Sequence, residues 1–143
     1  MKMKIIVGVD GSQPANRAME WCAKYARALD AEVVAVHAID IPFYVPATIP
    51  SAPPPPLSSE DRAALHEHIA TVWCAPLAKA TVPFRVVLMD SDPALAIMQA
   101  AKTEQADLVV AGRRGRGGFA ELVLGSTTYA LTHHLARPLV IVS

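Results

Sequence analysis

The chain has 143 residues, enough for one domain with a substantial core and too few for two of ordinary size. Apolar residues make up 52% and charged residues 18%, too greasy a mixture for a disordered tail. Thirteen basic residues balance thirteen acidic ones, which argues against bulk-charge binding of a nucleic acid polymer. The longest uncharged stretch, Ile41 to Ser59, is broken by proline throughout and offers no membrane-spanning helix. Cys22 and Cys74 stand 52 positions apart, so neither a disulfide framework nor a cysteine zinc site is expected. Both read as small core hydrophobes. The short apolar run after Lys4 is interrupted by Gly8, Asp10 and Gly11 before it could serve as a signal-peptide core, and the expectation is a cytoplasmic protein.

Taken in chain order, Lys4 to Val9 is an apolar run suited to a strand buried on both faces. Ser12 and Pro14 signal a helix start, and Ala18, Met19, Cys22, Ala26 and Leu29 recur at helical spacing as far as Asp30. Glu32 to Ala38 is rich in valine and predicts a second strand. Ser58 to Asp61 carries a capping signal, followed by an apolar stripe of Leu65, Ile69, Val72 and Trp73 that Pro76 should kink or shorten. Phe84 to Met89 predicts the third strand. Asp92 and Pro93 open a third helix with Ile97, Met98 and Ala101 facing inward. Asp107 to Ala111 is the fourth strand, Ser126 to Leu135 the last helix, and Leu139 to Val142 a closing strand.

Five strands alternating with four helices predict an α/β domain over residues 1–143: a parallel sheet covered on both faces through right-handed crossovers. The expected core is Ile5, Val7, Val33, Val34, Val36, Val86, Leu108, Val109, Val110, Val140 and Ile141. Residues 42–56 break the rhythm with seven of the twelve prolines. Such a segment favours extended polyproline II and reads as a stiff connection. The alternatives are a lid bringing Phe43 and Tyr44 over a site, or a docking peptide for an SH3-like partner.

Glycine placement points to chemistry. All seven glycines fall at two places: Gly8 and Gly11, then Gly112, Gly115, Gly117, Gly118 and Gly125. Both sites follow strands, where ligands bind in doubly wound sheets. The second has the parts of a phosphate cradle: glycines that allow close backbone approach, a helix start, the Ser126 and Thr127 hydroxyls, and Arg113, Arg114 and Arg116. The plainer alternative is that the glycines serve turns and Ser126 caps its helix. A Walker A loop is excluded, because no lysine follows Lys102. A dinucleotide fingerprint is excluded too, since GVDGS after the first strand does not fit it.

The spacing Gly112-x2-Gly115-x9-Gly125-Ser126 resembles the nucleotide-binding signature of the universal stress protein family, G-2x-G-9x-G-[S/T], at every specified position. The VGVDGS opening, His37-Ala38-Ile39-Asp40, DLVVAG and Arg137 to Val142 extend the resemblance over the whole chain. It implies a Rossmann-like sheet of order 3-2-1-4-5 sandwiched by four helices. It also implies an adenine-nucleotide site. There Val9 and Asp10 meet the ribose or adenine, the Ala38 backbone holds the adenine edge, and Ala111 and Gly112 flank the ribose. Gly115, Gly125, Ser126 and Thr127 surround the phosphates, with Arg113 and Arg116 beside them. Asp10 has a plainer alternative, capping the turn before the first helix. Arg113 stands where family members often have serine, and it either adds a phosphate contact or crowds the ribose. Ser91 replaces a frequent glycine before Asp92, which affects only a turn.

The remaining histidines are weak candidates. His66 and His68, like the adjacent His133 and His134, are badly spaced to share a metal and suit solvated or capping roles. His37 reads as packed near the pocket. No spacing provides a catalytic base or a phosphoryl-transfer lysine. The function that the resemblance implies is an ATP-binding regulatory module of the stress response, with Mg²⁺ accompanying the phosphates and protein partners of unknown identity. The alternatives are a slow or true ATPase, an AMP or cyclic-nucleotide binder, and a ligand-free interaction protein. The bare apolar strand 139–142 invites pairing with a second chain, and the resemblance implies a homodimer through it.

Overall fold

The computed structural model describes residues 2–39, 55–114 and 124–143. Loop residues 42–54, including Phe43 and Tyr44, and the glycine-loop residues Gly115, Arg116, Gly117 and Gly118 lie outside the described residues, as does Asp40. In chain order the elements are β1 (Met3–Gly8), α1 (Gln13–Tyr25), β2 (Ala31–Ala38), α2 (Ser59–His68), a π-turn (Ile69–Trp73) and α3 (Ala75–Lys79). There follow β3 (Phe84–Met89), α4 (Pro93–Thr103), β4 (Leu108–Gly112), α5 (Ser126–His134) and β5 (Leu139–Val142). The five strands form one parallel sheet in the order β3-β2-β1-β4-β5, as the family resemblance implied.

Successive residues of a strand point to opposite faces, and here each face meets its own helix layer. Ile5, Val7, Val33, Ala35 and Val110 pack with Ala18, Met19 and Cys22 of α1 and with Ile69 and Leu77. On the other face Ile6, Val34, Val36 and Val109 pack with Ala96, Ile97 and Ala100 of α4 and with Leu131 of α5. Eight of the eleven expected core residues are buried. The other three, Leu108, Val140 and Ile141, are only half-buried. For Val140 and Ile141 the reason is position, because among the described residues β5 is the outer strand of the sheet.

Three helix boundaries depart from expectation. The first helix ends at Tyr25, not Asp30, and Leu29 is exposed. Asp30 turns left-handed at φ 47°, while the Ala31 N–H donates to the Ala26 carbonyl and the Asp30 N–H to that of Arg27. This is the hydrogen-bond pattern of a Schellman stop. The second helix is divided, so the expected four helices become five among the described residues. Proline in a helix interior would clash with the carbonyl four residues earlier, here Val72. The chain instead takes a wide π-turn in which the Cys74 N–H donates to the Ile69 carbonyl, and Pro76 sits in the first turn of α3. The turn rotates the expected stripe: Ile69 stays buried while Val72 is 54% exposed. Finally, Gly125 and not Ser126 occupies the cap of α5, so the simple capping account of Ser126 fails.

Candidate functional site

Pairing between β1 and β4 runs to Val7 opposite Val110, and beyond these the two strands end side by side. β1 hands the chain to α1 on one face of the sheet, and β4 precedes α5 on the other. This is a topological switch point, where the diverging connections leave a crevice.

The turn out of β1 is built by its own side chains. Asp10 Oδ1 accepts from the Ser12 N–H at 2.9 Å, Gly11 adopts φ 78°, and Ser12 Oγ accepts from the Ala15 N–H at 3.3 Å. Ser12 is thus the cap of α1, and Asp10 closes the turn before it. Asp10 therefore has the structural role the plainer account gave it, and it holds that role at the mouth of the crevice.

Across the switch point, the Gly112 carbonyl accepts from Thr128 Oγ1 at 2.7 Å. Arg113 ties three elements together through its backbone. Its N–H donates to the Val142 carbonyl at 2.8 Å, and its carbonyl accepts from the Gly125 N–H at 2.9 Å. The bond from Gly125 closes the glycine loop at its neck, so this N–H is committed to the chain itself. Gly125 brings no side-chain acceptor to the first turn of α5, and no acidic residue stands there. Ser126 is exposed and Thr127 half-buried at that helix start. Ala111 is buried beneath the crevice, and Arg113 is half-buried at its edge.

On the β2 side, the Val9 N–H donates to the Val36 carbonyl at 2.9 Å. The Val9 carbonyl accepts from His37 Nδ1 at 2.8 Å. Since a carbonyl only accepts, the Nδ1 position of His37 carries the proton. The ring stands edge-on to Trp73 of the π-turn at 5.3 Å, and Trp73 in turn meets His68 at 5.7 Å.

The structure thus gathers Val9, Asp10, Ala38, Ala111, Gly112, Arg113, Gly125, Ser126 and Thr127 at one end of the sheet. Sequence reasoning missed Thr128, a buried hydroxyl that pins β4 to α5, because threonine after Ser126-Thr127 looks like one more helix residue. It also passed over the bond from His37 to Val9, which no sequence spacing signals, whereas Ser12, read as a helix-start signal, is the cap of α1 in the site's own turn. The other histidines are exposed, in line with solvated roles: His66 Nε2 donates to the Val86 carbonyl, and His133 meets Tyr129 edge-on at 4.5 Å. Burial pushes the thiols of Cys22 and Cys74 up to about 12 and about 11. Among the described residues no group of three His, Cys, Asp or Glu could hold a metal ion, and no helix is long and apolar enough to cross a membrane.

Comparison with known proteins agrees with this fold. A universal stress protein of Thermus aquaticus is 33% identical over 140 residues, covering 96% of each chain. One from Mycobacterium tuberculosis is 33% identical over 142 residues; this chain spans 44% of its length. Among solved structures, a universal stress protein from Lactobacillus plantarum superposes with a TM-score of 0.76 at 19% identity, over 99% of this chain and 97% of its own. An Archaeoglobus fulgidus member in complex with dAMP gives 0.70 at 20% identity, over 99% and 98%. A member in complex with cAMP gives 0.67 at 24%, over 99% and 96%. The model of the universal stress protein family matches residues 1–143. With the 3-2-1-4-5 sheet, its switch-point crevice and a family match along its whole length, this chain belongs to the universal stress protein family.

Proposed function

We propose that the crevice between the ends of β1 and β4 binds an adenine nucleotide, ATP in the cell, and that the chain is a nucleotide-dependent regulatory module of the stress response. One observation carries this reading. Asp10 and Gly112 close the two adjacent strand ends of a switch point, beside a helix start that, among the described residues, has no capping side chain and no acidic residue in its first turn. Partial positive charge and backbone donors at such a start favour phosphate. The dAMP and cAMP complexes of structural neighbours support the adenine class. The spacing from Gly112 through Gly115 to Gly125 and Ser126 supports a longer phosphate chain.

In this reading Asp10 faces the ribose, the Ala38 backbone faces the adenine edge, and Ala111 and Gly112 flank the sugar. Gly115, Arg116, Ser126 and Thr127 surround the phosphates together with Arg113. With Gly125 N–H spent on Arg113, the contribution of Gly125 is to let the loop close at its neck. No acidic cluster among the described residues would hold Mg²⁺ by itself, so the ion would arrive bound to the phosphates. The output is a change in conformation or partner affinity, in the cytoplasm, and not turnover. A homodimer through β5 would bury its half-exposed residues.

Calorimetric titration of ATP, AMP and cAMP tests the reading, after bound nucleotide is stripped from the purified protein. ATP should bind most tightly, and Gly115→Val and Ser126→Ala should both weaken it. Equal affinity in the wild type and Gly115→Val would overturn the assignment of the glycine spacing, and tighter AMP binding would overturn ATP.

A further inference from the structure

The β1–β2 ladder stops in an unusual way. In a parallel pair the same residues of one strand supply both hydrogen bonds to the neighbour. The Val9 N–H donates to the Val36 carbonyl, so the next rung would run from the Ala38 N–H to the Val9 carbonyl. That carbonyl is taken instead by His37 Nδ1 at 2.8 Å. His37 and Ile39 direct their own backbone toward β3, as the bond from the Ile39 N–H to the Met89 carbonyl shows. Ala38, of the opposite parity, therefore turns its N–H and carbonyl toward β1 just where β1 has ended. Among the described residues no backbone acceptor beyond the strand pairings takes the Ala38 N–H. Trp73 stands edge-on to the imidazole at 5.3 Å.

We propose that His37 is a positioning residue of the crevice: by occupying the Val9 carbonyl it keeps the ladder from closing and leaves the Ala38 amide presented to the adenine edge. This rests on the adenine-nucleotide reading for its ligand, but the effect on the ladder is independent of any ligand. An aliphatic side chain at 37 frees the Val9 carbonyl. A buried acceptor left unpaired is costly, so it takes the nearest donor, the Ala38 N–H. The amide that would discriminate a base is then consumed by the sheet.

Two measurements on wild type, His37→Leu and His37→Asn test this, with thermal unfolding to verify the fold of each. Asparagine can place an amide N–H near the Nδ1 position and keeps the donor. Amide exchange in the free proteins should show Ala38 exposed in wild type and His37→Asn, and protected in His37→Leu. Calorimetry should show ATP bound roughly tenfold more weakly by His37→Leu, the scale of one lost hydrogen bond with its desolvation. Inorganic tripolyphosphate should bind unchanged, and His37→Asn should recover ATP to within about threefold of wild type on the same scale. Equal exchange of Ala38 in wild type and His37→Leu would overturn the role of His37, whatever ATP does. Parallel losses of ATP and tripolyphosphate, or no rescue by asparagine, would overturn it as well. Failure of wild type to bind ATP, with the exchange pattern as expected, would instead sink the nucleotide reading and leave the ladder effect standing.

Discussion

A side chain at position 112 would run into the backbone of Pro14: a Cβ placed there stands 2.5 Å from both the carbonyl carbon and the carbonyl oxygen. The glycine that opens the phosphate motif is therefore required first by packing, because β4 and the start of α1 touch through their main chains. Gly112→Ala should destabilise the fold by about 1–3 kcal/mol, the usual range for overpacking where neither partner can yield. Urea unfolding midpoints measure this, and an unchanged midpoint would mean that the two backbones do not approach as described.

Gly8 offers the contrasting case. A Cβ there would stand 2.7 Å from Ile97 Cδ1, the far end of a side chain that can rotate away. Gly8→Ala should cost less than Gly112→Ala, and Ile97→Val in the same chain should recover most of the loss by removing that methyl group. The double variant, compared with each single one in the same unfolding experiment, separates this contact from an intrinsic effect of alanine.

Three joins from helix to strand turn through non-glycine residues in the left-handed region: Asp30 at φ 47°, Thr81 at 55° and Gln105 at 52°. Each sits in the same stop, with N–H groups returning to carbonyls five and three residues back, as from Val82 to Leu77 and Thr81 to Ala78. Glycine should stabilise each position by about 0.5–1 kcal/mol, less its own entropic cost. Thr81→Gly should gain most, since a β-branched side chain tolerates this region worst. A destabilised Thr81→Gly in thermal unfolding would contradict the assigned turn.

Acid stability should depend on Glu104. Its carboxyl is held below the ordinary glutamate range first by the hydrogen bond from Arg85 and also by Lys4, against an opposing contribution from burial. A lowered folded-state pKa favours the folded form when the carboxylate is charged. The contribution is present above the unfolded pKa and is lost as pH falls through the lower folded value. Glu104→Gln should therefore lower the melting temperature at neutral pH and flatten the acid limb of the stability profile. Parallel acid limbs in the two proteins would refute this.

The two thiols should resist alkylation while the chain is folded. Burial holds Cys22 at about 12 and Cys74 at about 11, leaving almost no thiolate at pH 8. Iodoacetamide labelling followed by mass spectrometry should proceed at the rate of opening, with Cys74 ahead of Cys22. Prompt modification of either would show that its layer is not packed as described.

Much of this was legible in the chain itself. β3 and β5 begin and end where valine-rich runs in the sequence begin and end, and Asp92 caps α4 ahead of Pro93 as its position announced. The dispersed failures share a cause, in that each depends on contacts from outside its own segment. Leu29 keeps the helical period but lies beyond the end of α1, in the turn that Asp30 closes, and Val72 keeps the stripe but is rotated outward by the turn that Pro76 imposes. Leu108 and the residues of β5 are apolar in composition, yet the sheet leaves them only half-covered.

By itself the sequence determined the alternation of strand and helix, the two glycine sites and the family, because local periodicity, backbone freedom and motif spacing are properties of neighbouring residues. Only the tertiary structure decided that Gly112 is constrained by Pro14, that the Gly125 N–H belongs to Arg113, and that His37 takes the carbonyl the ladder would have used. These are hydrogen bonds and close approaches between segments 12 to 98 residues apart in the chain. No local pattern can encode which of several available donors a given carbonyl will meet once the strands are laid side by side.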